Sequence, residues 1–207
     1  LSRNTRQTRS LKTELKTRIE TRQDNGDQDA YIEGYFAVFG HETELWPGAY
    51  EQIAPEAFDK TLGNDIRALI NHETRLVLGR NKSGTLELRT DSYGLWGRIK
   101  INPNDTDAMN LYERVKRGDV DQCSFGFNIV REDTEWRDDG SVKWTIREVD
   151  LHEVSVVTFP AYEDTGVQAR RKQVEEHRAR LLEARRQKII ERVRNIGTQA
   201  IADQQED

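Results

Sequence analysis

Apolar and polar residues alternate with a period of two through one stretch of this chain after another, and turn residues cut those stretches at short intervals. In "GTLELRTDSYGLWGRIKIN" two such runs flank a turn at Asp91 to Gly94. "AYIEGYFAVFG" is rich in aromatic and β-branched residues and ends at Gly40, and "DIRALINH" alternates through Ile66, Ala68 and Ile70 to His72. "EWRDDGSVKWTIREVD" reads as a hairpin about Asp139 and Gly140, "LHEVSVVTFPA" as a last strand closed by Pro160, and Leu15 to Thr21 as a strand before the turn "QDNGDQD". Two short helices are expected. One covers "IAPEAFDKTLG", with Pro55 near its start and Gly63 past its end; the other covers "NDTDAMNLYERVKRG", capped by Asp105 or Thr106 and stopped by Gly118. The pattern predicts a mainly β, α+β fold: an antiparallel β-barrel of about seven strands with short helices between them, plus a long C-terminal helix.

The composition changes after Gly166. Val174, Leu181, Leu182, Ile189, Val193 and Ile196 stand among Arg, Lys, Glu and Gln, a stripe too narrow to be a domain by itself. The expected division is a β-barrel domain over 10–165 and a charged helical extension over 166–207. Charge follows position: residues 1–22 carry seven Lys/Arg against two Glu, and residues 169–194 carry ten against four, within a chain of net charge -5. An acidic body with basic ends results. Neither end offers aromatic residues for base stacking, so each reads as a solvated tail or helix face, and a nucleic-acid partner is not expected. One cysteine and the lack of a long apolar run exclude a disulfide framework and a membrane helix, and the basic start has no apolar segment after it to make a signal peptide.

The stretch "DVDQCSFGFNIV" holds the only cysteine beside a serine. On a strand, Cys123, Phe125, Phe127 and Ile129 share one face, and Ser124, Gly126 and Asn128 share the other. The second face is small and suits close approach by another chain. Cys123 lies with the phenylalanines, so a buried structural thiol is the better reading than a nucleophile. The four histidines are His41, His72, His152 and His177; none has metal-ligand spacing, HExxH and GxGxxG are absent, and no cofactor or metal is expected. A dispersed set remains: His72 at one strand end, Ser124 on a second strand, His152 and Glu153 on a third. Nucleophilic catalysis by serine requires such groups to converge, but period and composition allow each to be an ordinary strand residue as well.

Four blocks, "YIEGYFAVFGHETELWPGAYEQIAPEAFDKTL", "ALINHETRLVLGR", "CSFGF" and "LHEVSVVTFPAYEDT", resemble in order and separation the motifs of the prohead (procapsid maturation) proteases of tailed bacteriophages, over about Ile19 to Thr165. These are similar in fold and chemistry to the herpesvirus assembly proteases. By position, the resemblance puts the family's histidine on His72 and its nucleophile on Ser124. It puts an acid on Glu153, with His152 as the alternative third member, because the herpesvirus enzymes use a second histidine there. Strict alternation places Glu153 with Leu151, Ser155 and Val157, and His152 on the opposite face. The resemblance implies a serine endopeptidase that cleaves the major capsid protein, its scaffold segment and itself inside a prohead in the host cytoplasm. It also implies a homodimer. The rival reading is a non-enzymatic β-barrel capsid assembly or scaffolding protein.

Overall fold

The computed structural model describes the backbone of residues 6–12, 15–21, 28–159 and 165–203, and side chains at 6–10, 15–21, 28–159 and 170–192. Most of the "QDNGDQD" turn, Pro160, and the side chains of Val193 and Ile196 lie outside these residues. The chain divides into two units, Leu1–Gly166 and Val167–Asp207.

The first unit is built from β1 (Gln7–Lys12), β2 (Lys16–Thr21), β3 (Gln28–Val38), β4 (Thr43–Trp46), β5 (Ala49–Ile53), β6 (Arg67–Ile70), β7 (Glu73–Arg80), β8 (Leu86–Thr90), β9 (Gly94–Ile101), α1 (Thr106–Arg117), β10 (Gln122–Trp136) and β11 (Val142–Val157). The strands form two sheets. One runs β1-β10-β11-β5-β4, with β6 attached to β11 and β7 to β6, and the other runs β2-β3-β9-β8.

Neither sheet closes on itself, so the expected barrel is not what forms. The reason lies in β11. Its 16 residues are long enough for one edge to serve two short strands: β5 pairs in parallel with Val142 to Ile146, and β6 pairs in parallel with Glu153 to Val156. A period of two identifies strands but not neighbours, and these two parallel pairings split the ladder where a barrel would continue it. The hairpin and the last strand expected from sequence are likewise one continuous pair, β10 with β11. "IAPEAFDKTLG" makes only a 3-10 turn, Pro55–Phe58, while α1 forms as expected, with Asp105 accepting from the Asp107 and Ala108 amides and Gly118 in the left-handed region at its end. The basic start contains β1 where a tail was expected.

One apolar core joins the two sheets. Ile32, Phe36, Ile99 and Ile101 come from the four-stranded sheet and Cys123, Phe125, Phe127, Val154 and Val156 from the other. Phe125 stacks on Phe127 at 4.8 Å and meets Phe58 edge-on at 5.6 Å. Helix α2 (Thr165–Asp203) supplies most of the second unit and leaves Leu181, Leu182 and Ile189 exposed. Among the described residues no helix is long and apolar enough to cross a membrane.

Candidate active site

Strand β10 presents two unlike faces. Cys123, Phe125 and Phe127 enter the core, and burial pushes the Cys123 thiol's pKa well up, which holds it as the unreactive thiol. On the other face Ser124 lies opposite Ser155 of β11 and Ser10 of β1, and Gly126 lies opposite Glu153. A Cβ at position 126 would collide with Glu153 Oε1 and come within 2.9 Å of Arg6 Nη2. Glycine is needed there to admit the carboxylate, so the small face receives this chain's own acid and guanidinium.

His72 is delivered by the β6–β7 hairpin. Ile70 pairs with Glu73, leaving Asn71 and His72 as a two-residue turn with φ of 50° and 63°. Positive φ at both central residues is the type I′ geometry that follows strand twist, and for non-glycine residues it costs about 1 kcal/mol each. Side chains hold it over β11: the Thr158 amide donates to Asn71 Oδ1 at 2.9 Å, and the His72 amide donates to Ser155 Oγ at 3.3 Å. Strain of this kind collects at functional positions.

The His72 ring turns back over the same face, with Nδ1 2.7 Å from Glu153 Oε1. A carboxylate only accepts, so this contact assigns the proton to Nδ1 and leaves Nε2 as the basic nitrogen. Ser155 Oγ donates to Glu153 Oε2 at 2.6 Å, and Arg6 Nη2 donates to Oε1 at 2.8 Å. Burial works to raise the Glu153 pKa, but the hydrogen bonds from His72 and Ser155, the charge of His72 when protonated and the Arg6 hydrogen bond outweigh it and hold the carboxyl below its ordinary range. His72 Nε2 is buried and has no hydrogen-bond partner among the described residues. The Ser124 hydroxyl donates to the Arg9 carbonyl oxygen at 3.0 Å.

Of the residues singled out from sequence, His72 and Glu153 are thus in direct contact, and Ser124 is the cross-strand neighbour of Ser155, which bonds both. His152 is the extra residue of a bulge: Gly126 pairs with Glu153 but Phe127 pairs with Leu151. That bulge corrects the expected parity, because Leu151 faces the core with Phe127 while Glu153 lies with Gly126 and Ser124. Sequence reasoning missed Arg6 and Arg9, hidden in a supposed tail. It did not use Ser155, although its position two residues beyond Glu153 on the same face was a usable signal. Among the described residues no group of three or more His, Cys, Asp or Glu could hold a metal ion. A cleft of about 760 Å³ between β7, β9 and the start of α1 has none of these site residues in its lining.

The chain matches the caudovirus prohead serine protease family over residues 16–180. It belongs to that family. The prohead protease of Enterobacteria phage HK97 is 32% identical over 142 residues, which cover 67% of this chain and 59% of that protein. The chain therefore spans 59% of the length of this relative. The solved capsid assembly protease of bacteriophage T4 superposes with a TM-score of 0.45 at 11% identity, covering 74% of this chain and 99% of that one. In this prohead protease family member His72, Ser124 and Glu153 all fall inside the matched span, whereas β1 lies ahead of it.

Proposed function

We propose that the chain is a serine endopeptidase of capsid maturation, with Ser124 as nucleophile, His72 as general base and acid, and Glu153 as the orienting carboxylate. Ser124 Oγ attacks the scissile carbonyl carbon while its proton passes to His72 Nε2. Glu153 holds the Nδ1 proton and stabilises the imidazolium. The Nε2 proton then goes to the leaving amine, and water repeats the exchange on the acyl intermediate. To start, the Ser124 hydroxyl turns from the Arg9 carbonyl toward the unpartnered Nε2. The observation that carries the reading is the 2.7 Å contact between His72 Nδ1 and Glu153 Oε1, made over the face of β10 that bears Ser124. Family membership supports the same chemistry. The substrates are the major capsid protein with its scaffold segment and the protease itself, met inside the immature shell in the host cytoplasm.

Intact-mass measurement of the chain, alone and with capsid protein carrying its scaffold segment, tests this. Shortened products should form with the wild type and with Cys123→Ala, and not with Ser124→Ala. Equal masses for wild type and Ser124→Ala would return the chain to the non-enzymatic assembly reading.

A further inference from the structure

Strand β1 lies antiparallel along β10, with Arg9 opposite Phe125 and Ser10 opposite Ser124. Sheet edges hold extended peptides in this way, main-chain bonds giving affinity and side-chain pockets giving selection. Two contacts of one residue fit that description. The Arg9 carbonyl oxygen accepts from Ser124 Oγ at 3.0 Å, and on the opposite face the Arg9 guanidinium meets both oxygens of Glu51, with Nε at 2.5 Å and Nη2 at 2.9 Å. Nη2 also donates to Gln7 Oε1 at 2.9 Å, and the guanidinium carbon lies 5.6 Å from the Phe127 ring centre. The Glu51 side chain is 5% exposed. A cavity of about 70 Å³, lined in part by Arg9, His41, Glu51 and Phe125, adjoins it, so this seat is not filled as a core would be.

We propose that the seat of β1 is the substrate groove, that it takes an extended peptide whose arginine carbonyl lies at Ser124, and that Glu51 selects that arginine. This rests on Ser124 being the nucleophile. The bond cut joins the arginine to the next residue: Oγ bonds to the arginine carbonyl carbon as its proton moves to His72 Nε2, the C–N bond breaks, and that proton leaves on the new amine. Water then frees the arginine carboxylate. In this chain β1 fills the groove as a competitor. It engages the Ser124 hydroxyl through Arg9, and Arg6, the residue just before it, occupies the Glu153 oxygen that also takes His72 Nδ1. A buried Arg–Glu pair is a poor device for stability, since apolar groups of the same volume usually serve as well. It is a steep device for selection, because any other side chain forfeits the bidentate bond to a desolvated carboxylate.

The test uses the full chain and a quenched fluorogenic peptide of residues 5–14, "TRQTRSLKTE", beside the same peptide carrying Arg9→Gln. Arg9→Gln in the full chain should raise kcat/KM for the arginine peptide several-fold by loosening the competitor. Glu51→Gln should lower it about 100-fold and erase the preference between the two peptides. Product masses should place the cut after the arginine. A merely structural ion pair would make both substitutions lower turnover together, and that result overturns the proposal. So does a cut at another bond, or a failure to cleave the peptide by chain that still processes capsid protein. Should Glu51→Gln fail to fold, equal turnover of the two peptides by the Arg9→Gln chain overturns it as well. Cleavage surviving in Ser124→Ala instead refutes the assignment of the nucleophile.

Discussion

On the four-stranded sheet Arg98 lies 2.5 Å from Glu20 and 3.7 Å from Glu33, and Lys100 lies 2.8 Å from Asp29. On the seven-stranded sheet His72 and Arg6 meet Glu153 at 2.7 and 2.8 Å, and Arg9 meets Glu51 at 2.5 Å. The distances are alike and the surroundings are not. The carboxylates Glu20, Glu33 and Asp29 are 36%, 17% and 15% exposed, whereas Glu153 and Glu51 are 3% and 5% exposed. Water-accessible pairs are screened and contribute about 0–1 kcal/mol each. A desolvated carboxylate carries a penalty of several kcal/mol that only well-placed donors offset. The outer pairs therefore solubilise a sheet face, while the inner ones hold charges where apolar side chains would have been easier to keep. Such placements are where chemistry is found.

The comparison breaks most sharply at Ser124 and His72. Ser124→Ala, or His72→Gly, should lower turnover by three or more orders of magnitude, read as kcat/KM on capsid protein. Glycine relieves the positive φ at position 72, worth about 1 kcal/mol, so His72→Gly should stay folded and separate lost chemistry from lost structure. Cys123→Ala, one residue away on the core face, should leave turnover within several-fold.

Glu153→Gln should lower turnover by about 100-fold to 10,000-fold, because the neutral amide cannot stabilise an imidazolium and can present its N–H to Nδ1, which favours the wrong tautomer. It also gives a pH signature. The folded-state pKa of Glu153 lies below its ordinary 4.5, so its contribution to stability is present above that value and is lost as pH falls through the folded-state value. The Tm gap between wild type and Glu153→Gln should be full at neutral pH and shrink below pH 4.5.

Gly126→Ala should destabilise the fold by about 1–3 kcal/mol in denaturant melts, since the added methyl meets the Glu153 carboxylate. Its activity should fall with the displaced carboxylate. The smallest effect belongs to the other sheet: Lys100→Ala should cost about 1 kcal/mol or less and leave turnover unchanged. A large loss there would erase the distinction between the two sheets.

Much of this was legible from local pattern. Alternation marked Ser124 and Gly126 as a separate face from Cys123 and Phe125, and the caps at Asp105 and Gly118 bounded α1. These depend on neighbours within a few residues, whose side-chain directions follow from the backbone period. The "QTRSLK" of β1 has no alternating apolar residues, so nothing local announced a strand; its partner is a segment more than a hundred residues later in the chain.

What the sequence by itself determined was which residues of β10 share a face, where α1 begins and ends, and which serine, histidine and acid are available for chemistry. What only the tertiary structure decided was which strands are neighbours: β5 and β6 sharing β11, the bulge at His152 that turns Glu153 toward Ser124, and β1 laid beside Ser124. The division has a physical cause. Side-chain direction is set by covalent geometry within a strand, whereas pairing is chosen by ladders between distant segments whose free energies depend on every other strand being in place.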